Sequence, residues 1–403
     1  MSKSNLFSGQ PIFNQLLSYV PRHQIGQIAS DFQADKYYKN FRTYEHLVTQ
    51  LYAIFNQCSS LRDVVTGLLA WESRIKHLGI SYQPRKSTFA DANQNRSSEV
   101  FEKIYNFLFA RYSHFLTDSR SKKKGRQLFI VDSTTISLFH DILLNAGRPA
   151  ISGKRKGGIK VHTMIDSEQD VPCLVRMTAA AAADVPFLKQ IHLAKGSVLV
   201  MDRGYVMDYS QLNRLDKEGV TWVSRLRLNS VYQVIEKNQV TEFQKRRGVV
   251  SDQTIRIGHS HHDKGHKVVA RLIVFRDSDT QQTLQFITNN LRLTSTQIAT
   301  YYKRRWQIEL LFKRIKQNYP LKSFLGESEN AIRIQVWCAL IADLIIKLIK
   351  ANAGRKWSFS NLCSTIRIHL MTYINIYAFL RNPEKALIRK SKVDFQPSLF
   401  NTS

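Results

Sequence analysis

Three carboxylates stand out by what surrounds them. "LFIVD" ends in Asp132 and "VLVMD" ends in Asp202, so each acid follows an unbroken apolar run. A buried strand presents a carboxylate at its end in this way, and neighbouring strands would bring two such groups together. Taken singly, each Asp also fits an ordinary strand-to-turn junction. The third acid, Glu309, is the lone carboxylate of "YYKRRWQIELLFKRIKQ", residues 301–317. On a helix advancing about 100° per residue, Tyr302, Arg305, Glu309 and Lys316 share roughly a 60° arc. Ile308, Leu311, Phe312 and Ile315 fill a neighbouring arc suited to docking on a sheet. A solvated basic helix, with Arg305–Glu309 and Glu309–Lys313 spaced i,i+4, gives the same pattern.

The elements that must position these residues follow from the changing period along the chain. Residues 43–58, "TYEHLVTQLYAIFNQC", space apolar side chains as a helix does. Ser60 and Asp63 form a capping-box pattern ahead of the next apolar run. A short polar helix carrying Arg85, Lys86, Ser87, Thr88, Asn93, Asn95 and Arg96 is suited either to a DNA major groove or to a polar connection. Past the basic boundary "SRSKKKGRQ" the period shortens. Runs at 127–133, 158–166, 171–178 and 197–204 read as strands, with helical stretches between and after them. That mixture predicts an α/β core. Residues 220–292 read as a separate β-rich insertion, and the chain after 295 returns to helix. The expected divisions are 1–120 (helical), 121–219 (first part of the core), 220–292, 293–350 (the rest of the core) and 351–403 (helical, ending in a basic tail).

Charge narrows the partners. Lys and Arg number 59 against 31 Asp and Glu, a net +28, which attracts polyanions, nucleic acid first. A hydrophobic fraction of 43% supports a real core and argues against wholesale disorder. Cys58, Cys173, Cys338 and Cys363 are scattered, which excludes a C-x-x-C zinc or disulfide framework and suits a reducing compartment. The N-terminus lacks a signal-peptide pattern. "VWCALIADLIIKLIK" is broken by Asp343 and Lys347, so a buried core helix is expected there and no membrane span. A bacterial cytoplasm is the expected location.

The spacing Y-x2-R-x3-E-x6-K, met by Tyr302, Arg305, Glu309 and Lys316, resembles the signature of the DDE transposases of bacterial insertion-sequence family four. "VDSTT" is similar to the family's first-aspartate motif and "MDRGYVMDY" to its second. "GGIKVHTMID", with Lys160 and His162, resembles the strand between them, and "FITNNL" the entry to the third motif. The resemblance covers about residues 125 to 350. It departs at Ala179–Ala183, where relatives often carry a polar residue just before the Asp matched by Asp184.

The resemblance implies a ribonuclease-H-like catalytic core, interrupted by the β-rich insertion, with helical N- and C-terminal regions. It implies that Asp132, Asp202 and Glu309 hold two Mg²⁺ ions, with Mn²⁺ able to substitute, as hard oxygen donors allow. The reaction would be cleavage at the element's ends and strand transfer to target DNA through a hairpin, with double-stranded DNA (terminal inverted repeats and target) as partner. A homodimer on paired ends is implied as well. Tyr302, Arg305 and Lys316 would hold phosphates. Arg203, Tyr205, Lys160, His162, Trp306 and the cationic "SGKRKGG" segment (Lys154, Arg155, Lys156) are further candidates for DNA contact. Trp306, Trp222 and Tyr232 are candidates to stack on a flipped base, each with core burial as the alternative. The histidines of "GHSHHDKGH" read as a polar hairpin loop in preference to a metal site. Two other classes remain open: a nuclease that cuts without joining, and a catalytically inactive DNA-binding protein.

Overall fold

Among the described residues, ten strands carry the α/β region: β1 (Leu128–Ser137), β2 (Gly147–Arg148), β3 (Lys156–Asp166), β4 (Pro172–Ala179), β5 (Val198–Met201), β6 (Thr221–Arg225), β7 (Tyr232–Lys237), β8 (Val249–Ile257), β9 (Val268–Arg276) and β10 (Thr283–Thr288). The computed structural model describes residues 9–116, 126–137, 147–148, 156–227, 229–258, 267–278, 280–321 and 323–388. The chain separates into two units, Thr117–Lys313 and Met1–Leu116 with Arg314–Ser403.

In the first of these units the strands form one sheet in the order β2-β3-β1-β5-β6-β10-β9-β8-β7, with β4 also paired to β3. β1 runs parallel to β5 and β5 parallel to β6, while the other pairs are antiparallel. β5 is buried at every position, as suits an apolar strand flanked by parallel neighbours. Residues 220–292, expected as a separate β-rich insertion, continue this same sheet. β6 completes the parallel layer beside β5, and β10, β9, β8 and β7 extend it without a break. The cause is the buried stretch Val220–Ser224, whose best partner is the edge that β5 offers.

Among the described residues the helices here are α7 (Val185–Leu188), α8 (Tyr209–Lys217), α9 (Glu242–Arg246), α10 (Ser295–Lys303) and the first part of α11 (Trp306–Asn318), which from Arg314 on belongs to the other unit. Residues 301–317, expected as one helix, are two. Arg304 and Arg305 form a turn in which successive amides bond three residues back, Arg304 to Tyr301, Arg305 to Tyr302 and Ile308 to Arg305. This tightening breaks the 3.6-residue period, so Tyr302 and Glu309 lie on different helices.

The other unit is helical: α1 (Ile12–Leu17), α2 (Arg22–Asp31), α3 (Thr43–Asn56), α4 (Leu61–Leu69), α5 (Lys86–Asn95) and α6 (Ser98–Tyr112), then α12 (Glu329–Asn352), α13 (Phe359–Ile368), α14 (Ile376–Arg381) and α15 (Pro383–Ile388). Ser60 and Asp63 make the expected capping box at α4. α12 is the core helix foreseen from its apolar run, and buried Asp343 is matched there by Arg314 at 3.0 Å. No helix among the described residues is long and apolar enough to cross a membrane. α5 does not present the whole polar set expected of a groove-reading helix. Asn93 is buried against His46 and Gln50, and buried Arg96 donates to the Phe41 carbonyl with its guanidinium over the Tyr38 ring. Arg85, Lys86, Ser87 and Asn95 remain exposed.

One buried polar knot fixes where α10 begins. Asp252 of β8 pairs with Arg271 of β9 at 2.5 Å and accepts the Ser295 hydroxyl at 2.6 Å. Arg271 also donates to the Leu293 carbonyl at 2.5 Å, just ahead of the helix. Asp252→Ala leaves Arg271 buried without its counter-charge. The expected loss is about 3 kcal/mol, read by urea unfolding, with Asp252→Leu/Arg271→Met recovering most of it.

Candidate active site

The parallel pairing of β1 and β5 sets Val131 level with Met201. The next residue on each side is a carboxylate, Asp132 within β1 and Asp202 just past β5. Apolar side chains buried on both strands fix this register, since a slip of one residue would turn each strand's core face outward. Glu309 lies in the first turn of α11. Arg305, from the turn between α10 and α11, ties the set together. Its guanidinium is 3.1 Å from Asp132 Oδ2 and 2.5 Å from Glu309 Oε1. Ser167, just after β3, donates to Gln307 Oε1 at 2.9 Å and anchors the start of α11. Tyr302, at the end of α10, directs its hydroxyl to Asp202 Oδ1 at 3.5 Å, a long contact, with its ring against Phe286.

Burial pushes the Asp132 carboxyl up to about 6. The Ser133 amide and Arg305 pull it down, and the charges of Asp202 and Glu309 push it up. The site thus holds more negative charge than one guanidinium balances. All donors are carboxylate oxygens, the hard type that suits divalent Mg²⁺ or Mn²⁺, and a cation already sits between two of them. Among the described residues no three such side chains lie close enough to enclose an ion as they stand. The donor chemistry fits a divalent cation, with Asp132, Asp202 and Glu309 as the residues that would hold it.

A second polar set adjoins the first. Asp184, at the start of α7, accepts the Ser133 hydroxyl at 2.7 Å and lies 3.4 Å from both Lys160 Nζ and His162 Nδ1. The His162 contact, outweighing burial with help from Ser133 and Lys160, holds Asp184 down to about 2. Tyr205 is buried beside this set.

His162 and Tyr205, expected as DNA contacts, are both 1% exposed and so lie in the interior. His162 bonds Thr178 and stacks on Phe187. Lys160 is half-buried and donates to the Ala182 carbonyl at 2.7 Å. Trp222 is core, whereas Trp306 is 60% exposed. Arg203 is exposed in the turn after Asp202. Lys316 is exposed on α11, about two turns after Glu309. Lys156 starts β3. Lys154 and Arg155 lie outside the described residues, as do the histidines 259–266. Asp184, Ser133, Phe275 and Phe286 did not stand out in the sequence as site residues. Ser133 and Asp184 sit inside motif-like stretches, but only the fold brings them together.

A family profile described as the transposase DDE domain matches residues 123–344, which span every residue of the carboxylate cluster. The chain belongs to the DDE transposase family and is an enzyme of DNA cleavage and strand transfer; that chemistry depends on divalent metal. A second profile, a domain of unknown function, matches residues 8–81. A Sinorhizobium fredii protein named as the transposase y4zB is 30% identical over 66% of this chain and 71% of its own length. A Synechocystis protein named as the transposase for insertion sequence element IS4SA is 26% identical over 65% of this chain and 71% of its own. The Geobacillus stearothermophilus protein named for element IS5377 is 29% identical over 60% of this chain and 61% of its own.

Because Asp132 has its acid strength reduced by folding, ionising it works against the fold. Its protonated form stabilises the native state fully below about pH 4, and that contribution is lost as pH rises through about 6. With metal chelated, Asp132→Asn should gain stability relative to the parent across that window, on the order of 2–3 kcal/mol. Thermal melts from pH 4 to 7 check this, and a constant difference would contradict it.

Proposed function

We propose that Asp132, Asp202 and Glu309 are the catalytic carboxylates of a cut-and-paste transposase. In this reading they bind two Mg²⁺ ions, replaceable by Mn²⁺. The observation that carries the reading is the register of β1 on β5, which sets two aspartates level, together with the guanidinium that joins the first to Glu309. The order β4-β3-β1-β5-β6, antiparallel up to β1 and parallel beyond it, supports a ribonuclease-H-like core. When bound, the ions supply Lewis-acid activation of the attacking oxygen and offset charge at phosphorus.

The chain's own residues orient the DNA. Arg305 presents a two-pronged donor now spent on carboxylates, and the same fork is suited to a phosphate. Lys316 and Arg203 would add phosphate contacts. Tyr302 caps Asp202 and keeps the α10 end against β10. The substrates in this reading are the terminal inverted repeats of the chain's own element and a target duplex. Two copies would hold paired ends, and the helical N-terminal region would add DNA contacts. Residues 220–292 would serve as the β-rich arm of the core.

A hairpin route for the second strand is supported by a cavity of about 360 Å³ beside Tyr302. Phe275, Phe286 and Tyr302 supply aromatic faces, Arg247 supplies positive charge, and Lys303 stands 3.6 Å from Asp277. An unstacked terminal base would stack there.

Two assays test these assignments. With end-containing DNA and Mg²⁺, Asp132→Ala, Asp202→Ala and Glu309→Ala should each lower nicking at least about a hundredfold while DNA binding in a gel-shift assay persists. Nicking left intact would overturn the assignment. Cleavage without joining would favour a nuclease, and binding without cleavage in the parent an inactive DNA-binding protein. Phe275→Ala should slow hairpin formation roughly tenfold or more while first-strand nicking continues. A 2-aminopurine at the terminal base should lose its fluorescence increase in that variant, and equal signals would rule the cavity out as a base site.

A further inference from the structure

Ser133 follows Asp132 on β1, so its side chain points to the opposite face. There it lies directly across from His162, with Lys160 two residues along β3 on the same face. Asp184 reaches this face from the connection between β4 and α7. Ser133 Oγ donates to Asp184 Oδ1 at 2.7 Å, while the Ser133 amide donates to Asp132 Oδ1 at 2.8 Å. Two hydrogen bonds therefore run from Asp184 through one residue to the first carboxylate of the active site.

The far end of this link is firmly held. Lys160 sits 3.4 Å from Asp184 Oδ1 and also grips the loop before it, through the Ala182 carbonyl at 2.7 Å. His162 Nδ1 is 3.4 Å from the same oxygen, and its ring is fixed by Thr178 and Phe187. Ser133 donates to Asp184 Oδ1, and Lys160 and His162 each stand 3.4 Å from it, so that oxygen is engaged within the protein. A carboxylate so engaged makes a rigid support.

We propose that Asp184 is a positioning residue for DNA cleavage: acting through Ser133, it fixes the orientation in which Asp132 meets a divalent cation. This rests on reading Asp132 as a metal ligand. The role also explains why an alanine run is tolerated just before Asp184. The backbone of that run, through the Ala182 carbonyl, is what Lys160 uses.

The test compares Ser133→Ala, Asp184→Ala and the double variant in the full-length protein. The affinity for Mn²⁺ is read by electron paramagnetic resonance without DNA, and kcat and KM by nicking of end-containing DNA. Ser133→Ala should weaken Mn²⁺ binding about tenfold and lower kcat about 10- to 100-fold, with KM for DNA changed less than about twofold. Asp184→Ala should do the same, and the double variant should be no worse than either single one, because both cut one link. Ser133→Ala leaves the Asp184–Lys160–His162 set intact, so it keeps the test decisive if Asp184→Ala folds poorly. Unchanged Mn²⁺ affinity and kcat in Ser133→Ala would overturn the proposal, as would a rise in KM alone or effects that multiply in the double variant. Asp132→Ala is the control. If it loses Mn²⁺ binding while Ser133→Ala is silent, only the positioning role fails; if it keeps Mn²⁺ binding, the site itself fails.

Discussion

The arrangement turns on holding Asp132 of β1, Asp202 just past β5 and Glu309 of α11 near one another. Two like charges about 4 Å apart repel by roughly 4 kcal/mol at an effective dielectric near 20, and burial adds a desolvation cost. Burial first, and then the charges of Asp202 and Glu309, push the Asp132 carboxyl up. Arg305 relieves part of that push by joining Asp132 to Glu309. Its own burial is tolerable only because those carboxylates neutralise it, so the arginine and the acids define each other's positions.

That mutual dependence accounts for the break between α10 and α11. A continuous helix would carry Tyr302, Arg305 and Glu309 along one face. The tightened turn at Arg304 and Arg305 instead lets α10 stay against β10 through Tyr302 and Phe286, while α11 starts beside Ser167 at the end of β3. Each helix keeps its own anchor: Ser295 on the Asp252–Arg271 pair for α10, and Gln307 on Ser167 for α11. Arg305 sits between the two anchors with its fork turned onto the acids. Local hydrogen bonding thus converts two docking requirements into a fixed guanidinium.

Much of this was legible in the sequence, for reasons that differ by residue. Asp202 could be placed because an apolar strand that ends in an acid is a short-range pattern, whereas Asp132, expected at a strand end, lies inside β1, which runs on to Ser137. Glu309 could be read because a single acid among cations is conspicuous, even though the helical wheel that grouped it with Tyr302 assumed one unbroken helix. Periodicity cannot register the turn, since three cations in a row are compatible with helix or turn. Residues 220–292 looked separate because antiparallel strands carry no βαβ rhythm. Which neighbour β6 would choose depends on the free edge of β5, a tertiary fact. Asn93, Arg96 and His162 looked fit for nucleic acid by type, and each is consumed by an internal partner that lies far away in sequence.

The two faces of β1 show how one stretch of strand can support opposite electrostatic environments. On one side Asp132 is pushed toward neutrality by burial and by neighbouring acids. On the other side Asp184 is held firmly ionised by His162, Ser133 and Lys160, so it has little left to offer a cation. Ser133 joins them along the hydrogen bonds, its hydroxyl committed to one acid and its amide to the other. The period-2 alternation of a strand is what keeps the two environments apart while leaving them a single residue from contact.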